Sequence, residues 1–302
     1  ETYLVVDTGY FVVQELIRAL RAEGRQVCVL PFRWNNGESP ADVQAYQDFM
    51  KRIAAAAASW RPRALITINH LGFDREGCLT ELLEKMRLPA LIWYVDSPRY
   101  ILQNPAGNVS DRVGIFVWDS AYLPWLQQIG FSKVHYLPLA TDPDLFSRQQ
   151  IEDEVLRSYF SNGCGPLVFV GDSMVMTVAK ALRKLPPKVA AAVTDSPWSD
   201  LFQKLCEGGL TPSNTMPFRP WQIWEYAGEL NKTLPEDAKR NLESVWTLQA
   251  TQHRRIEFIQ ELIAKKRDRK LAVFGDEHWR GFLNGGSASI DIFPPVDYYR
   301  QL

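Results

Sequence analysis

The sequence lacks the motifs that most readily reveal a function from residues alone. None of the common patterns for P-loop phosphate binding, G-x-G-x-x-G dinucleotide binding, G-x-S-x-G hydrolysis or H-E-x-x-H zinc chemistry occurs in its 302 residues. The 4 cysteines show no C-x-x-C spacing, and the 4 histidines share no metal-ligand spacing. We therefore expect reduced cysteines, no disulfide framework and no bound metal.

An excess of charge and long apolar runs are also missing. There are 34 lysines and arginines against 35 aspartates and glutamates, so no overall basic field is available to attract nucleic acid or an anionic membrane. No apolar run approaches the ~18 residues of a membrane-spanning helix, and the first residues have no signal-type pattern. These features predict a soluble, cytoplasmic protein that has no transmembrane segment and binds no nucleic acid.

What the sequence does contain is a regular alternation of short apolar runs with segments of helical periodicity. Strands that follow one another in this way need helices on both faces of a parallel sheet, so the pattern predicts a doubly wound α/β domain. The six strands expected in the first half are residues 3–7, 26–32, 64–68, 90–95, 114–118 and 133–137.

The pattern restarts in the second half, but with fewer strands. About three are expected, at residues 167–170, 271–274 and 290–293, separated by a Gly/Pro-rich loop at 207–220 and helical material up to residue 267. A complete doubly wound domain needs more strands, so we expect an incomplete second domain and a chain that is truncated from a longer protein. The predicted organisation is a Rossmann-like domain at 1–146, a linker at 147–165 and a second Rossmann-like domain with a helical insertion at 166–302.

Polar residues follow most of the predicted strands, at the edge where open α/β sheets bind ligands. Any one of them can be explained as a helix cap or a turn residue, but their recurrence favours a binding edge. Gly171 and Gly275 are equally consistent with plain turns and with a close approach of the backbone to a diphosphate. His70 is equally consistent with a general base and with a structural histidine. The polar segments are Asp7-Thr8-Gly9-Tyr10, Asn69-His70, Asp96-Ser97, Asp119-Ser120, Gly171-Asp172-Ser173 and Gly275-Asp276.

The order of several motifs resembles the GT-B glycosyltransferases. The segment from Ile115 to Ser120, followed by Leu137-Pro-Leu-Ala-Thr-Asp142 and Phe146, is similar to the passage that closes the first domain of that fold, with Ala140 where the family usually has glycine. A closer resemblance is to the spore-maturation-like branch of these enzymes, in which a further donor-sugar segment follows the last motif. The motifs that carry this resemblance are Trp93-Tyr-Val-Asp-Ser-Pro98, Leu137-Pro-Leu-Ala-Thr-Asp142, Phe169-Val-Gly171, Val273-Phe-Gly-Asp-Glu-His-Trp279 and Val296-Asp-Tyr-Tyr299.

The resemblance implies metal-independent transfer of a sugar from a nucleotide sugar, such as a UDP- or GDP-sugar, to a hydroxyl of a glycan, protein or small molecule. It places Gly9, Tyr10 and Ser97 on the acceptor side, and His70 or Asp96 as the group that removes the acceptor proton. A non-catalytic nucleotide- or sugar-binding or scaffolding protein is the main alternative, and an epimerase-like relative is a third. The residues expected on the donor side are Gly171, Asp172, Ser173, Lys180, Arg254, Arg255, Gly275, Asp276 and Trp279.

Overall fold

A computed structural model describes residues 1–33, 39–102, 105–140, 142, 154, 167–187, 189–190, 232, 234–265, 270–283 and 290–295. Two compact units are distinguished, Glu1–Ser147 (unit 1) and Arg148–Leu302 (unit 2). Each contains a parallel sheet, so the predicted α/β class is confirmed. The division into two Rossmann-like domains stays a prediction, and the proposed linker at 147–165 lies almost entirely outside the described residues.

Unit 1 is built on a six-stranded parallel sheet in the order β2-β1-β3-β4-β5-β6. The strand order reverses between β1 and β3, because the chain first adds a strand on one side of β1 and then continues on the other. The elements of unit 1 are β1 (Thr2–Asp7), α1 (Val13–Ala22), β2 (Gln26–Pro31), α2 (Pro40–Trp60), β3 (Ala64–Ile68), α3 (Cys78–Lys85), β4 (Ala90–Tyr94), α4 (Pro98–Ile101), β5 (Val113–Val117), α5 (Leu123–Gln128) and β6 (Lys133–Tyr136), with short 3-10 turns at Ala106–Asn108 and Ser120–Tyr122.

Burial explains why the strands of unit 1 appear as continuous apolar runs. All five residues of β3 are buried, which is expected for a central parallel strand covered on both faces. The last strand, β6, lies at the sheet edge and is mostly exposed. α1 is amphipathic and buries Val13 and Ile17 against the sheet.

The structure ends β4 at Tyr94, one residue before the predicted end. The amide of Val95 donates to the side chain of Asn69, 2.9 Å away, and not to a neighbouring strand. A side-chain acceptor therefore replaces the sheet ladder at this edge, which strand periodicity does not reveal.

Unit 2 contains a three-stranded parallel sheet in the order β7-β8-β9. The long helix α7, at Glu236–Lys265, contributes to two apolar clusters, one around Trp246 and one that joins Ile259 to the buried Trp279. The predicted loop at 207–220 lies outside the described residues. The elements are β7 (Leu167–Val170), α6 (Val175–Leu182), α7 (Glu236–Lys265), β8 (Leu271–Phe274), α8 (Trp279–Leu283) and β9 (Ile290–Phe293).

Within the described ranges, no helix combines the length and the apolar character that crossing a bilayer requires.

Candidate functional site

Side chains that follow β1, β3 and β4 contact one another beside the point where the strand order of unit 1 reverses. The Tyr10 hydroxyl, from the loop after β1, donates a hydrogen bond to the carboxylate of Asp96, which follows β4. Asn69, directly after β3, donates from its side-chain nitrogen to Asp96 Oδ2 at 2.7 Å. Topological switch points of this kind form the crevices in which open α/β sheets bind ligands.

Asn69 holds this edge together through both ends of its amide. Its side-chain oxygen accepts hydrogen bonds from the backbone amides of Val95, at 2.9 Å, and Asp96, at 3.2 Å. The backbone of Asn69 is left-handed, with φ of 52°, and that of His70 follows with φ of 61°. Asparagine tolerates the left-handed region better than most residues. The two left-handed residues in succession turn the chain so that the Asn69 amide reaches the end of β4.

One oxygen of the Asp96 carboxylate accepts hydrogen bonds from side chains after β1 and β3. Oδ2 accepts both side-chain hydrogen bonds, whereas Oδ1 has no hydrogen-bond partner within the described part of the chain. Burial, followed by the hydrogen bond to Asp96, raises the pKa of the Tyr10 hydroxyl, which therefore stays protonated and remains a donor. Ser97, the next residue, precedes α4 and makes no side-chain cap to it.

His70 lies behind this edge, in the core of unit 1. It is 7% exposed, and its ring packs against Phe73 at a centroid distance of 4.8 Å. Its Nδ1 is 2.6 Å from the hydroxyl of the fully buried Tyr94. Nε2 is buried and has no partner among the described residues. Burial lowers the pKa of His70 to about 3, so the ring is neutral near pH 7.

Gly9 forms a tight turn after β1. Its φ is 74°, and its amide donates to Asp7 Oδ1 at 2.8 Å. The second Asp7 oxygen accepts from the side chain of Gln14 at 2.9 Å. The guanidinium of Arg33, just after β2, lies over the turn, 3.3 Å from the position that a Cβ on Gly9 would take. The loop thus brings one cation to the same edge of the sheet as Asp96.

The corresponding edge of unit 2 is held by Asp276. One carboxylate oxygen accepts from the backbone amide of Ser173 at 2.6 Å, and the other accepts from the Ser173 hydroxyl at 2.8 Å and the amide of His278 at 3.0 Å. Burial favours a higher pKa for Asp276, but these hydrogen bonds outweigh it and the pKa is lowered. Ser173 is fully buried, so both of its donors are used inside unit 2.

Gly171 and Gly275 meet at the ends of β7 and β8. A Cβ on Gly275 would collide with the Gly171 carbonyl oxygen and lie 2.7 Å from Trp279 Nε1. That indole nitrogen donates to the same carbonyl at 2.9 Å, and the Trp279 ring is buried. Close packing of one strand end on the next therefore accounts for the glycine at position 275.

Side chains of α7 support the loop after β7. Arg255 donates to the carbonyl of Asp172 at 2.8 Å and forms an ion pair with its carboxylate at 2.6 Å. Gln252 donates to the Ser173 carbonyl at 3.0 Å. Arg254 points elsewhere and lies 3.6 Å from Glu257.

The structure brings Tyr10 and Asp96 into contact as one set and Ser173 with Asp276 as another. Lys180 lies in the last turn of α6, with no ion pair to any described residue. Two further residues, Asn69 and Arg33, belong to the candidate site although the sequence pattern predicted no role for them. The only sequence signal for Asn69 was its place directly after a strand. The described ranges contain no group of three or more His, Cys, Asp or Glu side chains arranged to hold a metal ion.

Neither a protein family nor a curated protein matches this chain.

Proposed function

We propose that this chain is a metal-independent glycosyltransferase in which Asp96 removes the proton of the acceptor hydroxyl. The order of motifs that resembles the spore-maturation-like branch supports the reaction class. The observation that carries the proposal is the Asp96 carboxylate, which is held on Oδ2 by Tyr10 and Asn69 while Oδ1 has no hydrogen-bond partner among the described residues. A fixed carboxylate with one accessible oxygen is the arrangement that general-base catalysis needs.

In the proposed step the acceptor oxygen forms a bond to the anomeric carbon of the donor sugar. The bond from that carbon to the diphosphate oxygen breaks, the electron pair leaves with the nucleoside diphosphate, and the acceptor proton passes to Asp96 Oδ1. The two neutral donors on Oδ2 hold the carboxylate in one orientation before and after the transfer.

Asp96 is a better choice for this role than His70, the other residue that the sequence offers. A pKa lowered to about 3 makes the His70 imidazole a weak proton acceptor. Its side chain is also buried, and its Nδ1 already faces the Tyr94 hydroxyl. Asp96 is only half-buried and keeps an oxygen without a partner in the described part of the chain.

A non-catalytic binding protein is the second candidate, and one observation in unit 2 favours it. The donors of Ser173 are directed at Asp276, and Trp279 is packed in the core, so these three residues of the expected donor side serve the folded structure itself. In this alternative the edge of unit 1 still binds a ligand, but no sugar is transferred.

The test combines binding with product analysis. Thermal unfolding is measured with UDP, GDP and their sugars, since a ligand at 100 times its dissociation constant adds about 2.7 kcal/mol to stability. Transfer from the stabilising nucleotide sugar to a panel of alcohols and glycans is then followed by mass spectrometry. D96N keeps the shape of the side chain, and we expect it to reduce transfer by about 100-fold or more while nucleotide stabilisation persists.

The matched control is D48N, which changes an exposed aspartate on α2 and leaves transfer unchanged. Stabilisation by a nucleotide without any glycoside product supports the binding protein. Release of an altered free sugar supports the epimerase-like reaction. A chain that no nucleotide stabilises, and that forms no product, contradicts the glycosyltransferase proposal.

A further inference from the structure

An exposed aromatic ring stands next to the Asp96 carboxylate. Phe11 is 48% exposed, and its ring packs on that of Tyr10 with a centroid distance of 4.4 Å. The Tyr10 hydroxyl in turn contacts Asp96. These two contacts in series keep the Phe11 ring within the span of a disaccharide from the carboxylate.

The backbone conformation of the residue that follows Phe11 is unusual. Val12, the residue after Phe11, is left-handed with φ of 74°, a conformation that β-branched residues rarely adopt. Just before this turn, the rings of Tyr10 and Phe11 contact each other at an interplanar angle of 34°, and Phe11 stays exposed. Left-handed residues of this kind cluster at ligand sites.

The charges at this edge disfavour an anionic ligand. Asp7 and Asp96 contribute two carboxylates, and Arg33 contributes one guanidinium, which has no ion-pair partner among the described residues. These three groups together carry one net negative charge, so they do not favour a phosphate or a carboxylate. A neutral molecule with many hydroxyls matches instead, because its hydroxyls donate to carboxylate oxygens and accept from a guanidinium.

We propose that this edge of unit 1 binds a neutral carbohydrate, with an apolar sugar face on Phe11 and hydroxyls at Asp96 Oδ1 and Arg33. The inference rests on the proposed function in taking this edge as the acceptor side, and it names the acceptor class: a sugar, in preference to a lipid or a peptide hydroxyl. Phe11 would then be the residue that selects sugars, since ring C–H groups pack well on an exposed aromatic face.

The experiment measures sugar binding directly, without any nucleotide. Saturation-transfer NMR is recorded on the whole chain with a set of neutral glucose, galactose and mannose disaccharides, and with glucuronate and inorganic phosphate as anionic comparators. We expect transfer to the ring protons of at least one neutral disaccharide and none to glucuronate. F11A is expected to weaken that binding about tenfold, which corresponds to about 1.4 kcal/mol.

The matched control is W60A, which removes another exposed aromatic ring. Trp60 is 52% exposed at the last residue of α2, just before β3 begins and so at the opposite edge of the sheet. W60A should bind the disaccharide as the natural chain does. F11L tests whether an aromatic ring is needed, and we expect it to bind nearly as weakly as F11A.

The outcomes separate this inference from the proposed function. Sugar binding that depends on Phe11, without any transfer from a nucleotide sugar, supports the inference while the enzyme proposal fails. Transfer only to lipid or peptide hydroxyls supports the enzyme and overturns the inference. Absence of disaccharide binding, equal binding by F11A, or stronger binding of phosphate or glucuronate also overturns it.

Discussion

Asn69 joins the end of β3 to the segment after β4 through one amide group. It accepts from two backbone amides of the segment after β4 and donates to the Asp96 carboxylate. Because a neutral hydrogen bond contributes about 1 kcal/mol and a bond to a charged group somewhat more, the side chain stabilises this edge by several such increments. It is also one of the few side chains that accepts its left-handed backbone at low cost.

Two substitutions distinguish the contribution of the Asn69 side-chain hydrogen bonds to stability from that of its left-handed backbone. N69G removes the side chain but suits the φ of 52°, and we expect it to lower the free energy of unfolding by about 2 kcal/mol. N69A loses the same hydrogen bonds and adds the left-handed strain, so its loss should be about 1 kcal/mol larger. Urea denaturation measures both. Equal stabilities of N69G and the natural chain would contradict the role of the amide.

His70 makes the stability of unit 1 sensitive to acid. Its pKa is lowered from 6.5 to about 3 by burial, so between these values the unfolded chain binds more protons than the folded one. The neutral His70 ring therefore makes its full contribution to the free energy of unfolding above pH 6.5, and this contribution is lost as the pH falls. We expect a slope of up to about 1.4 kcal/mol per pH unit, measured by urea denaturation between about pH 7 and about pH 5.

H70N removes the titrating group while an asparagine still suits the left-handed backbone. This variant should lose most of the slope above about pH 5, where few carboxylates are protonated. H135N changes a histidine on the edge strand β6 and should keep the slope of the natural chain. A slope that survives in H70N would show that other groups cause the acid sensitivity.

At the scale of elements, the start of α3 is held by a buried carboxylate. Asp74 accepts from the amides of Cys78 at 2.8 Å and Leu79 at 2.9 Å, and from the Tyr46 hydroxyl at 2.5 Å. Burial favours a higher pKa for Asp74, but these hydrogen bonds outweigh it and the pKa is lowered. The carboxylate thus fixes the helix start to α2 and satisfies amides that would otherwise lack partners.

The position just before α3 requires a glycine, Gly77, both because a side chain has no room there and because the backbone is left-handed. Its φ is 83°, and a Cβ there would collide with the carbonyl group of Gly107. We expect G77A to lower the free energy of unfolding by more than about 3 kcal/mol, because the obstacle is backbone and cannot rotate away. The change is measured by urea denaturation.

G24A is the matched control for this prediction. Gly24 has φ of 69°, but nothing lies within 4 Å of a Cβ built there. Only the left-handed strain remains, so G24A should cost about 1 kcal/mol. Similar costs for the two variants would show that the Gly107 contact relaxes easily.

At the scale of the whole molecule, each unit has an apolar cluster of its own among the described residues. The cluster with Ile17 belongs to unit 1, and the cluster with Leu242 and Trp246 belongs to unit 2. Each unit therefore carries its own stabilising burial. Two units that each have their own core can unfold in separate transitions.

Calorimetry of two core variants tests this independence. Ile17 is 2% exposed and Leu242 is 1% exposed, so I17A and L242A each create a cavity expected to cost about 2–5 kcal/mol. We expect I17A to lower one transition temperature and L242A to lower another. A single transition that both variants shift equally would contradict the predicted two-domain organisation.

The sequence by itself determined the class and order of the elements. Parallel strands buried on both faces must be apolar along their length, so runs such as residues 64–68 and 271–274 identify strands at their observed bounds. The same argument places Tyr10 and Asp96 at the carboxyl ends of strands. These features can be predicted from the sequence because the burial of a strand determines which residue types occur along it.

Only the tertiary structure decided which of these residues contact one another. His70 and Asn69 are adjacent in sequence and both are buried, yet the His70 ring packs on Phe73 whereas the Asn69 side chain reaches Asp96, because successive left-handed residues turn the chain. Ser173 and Asp276 are 103 residues apart and satisfy each other's polar groups. Such pairings depend on the strand order and on contacts between distant segments, and no local periodicity encodes them.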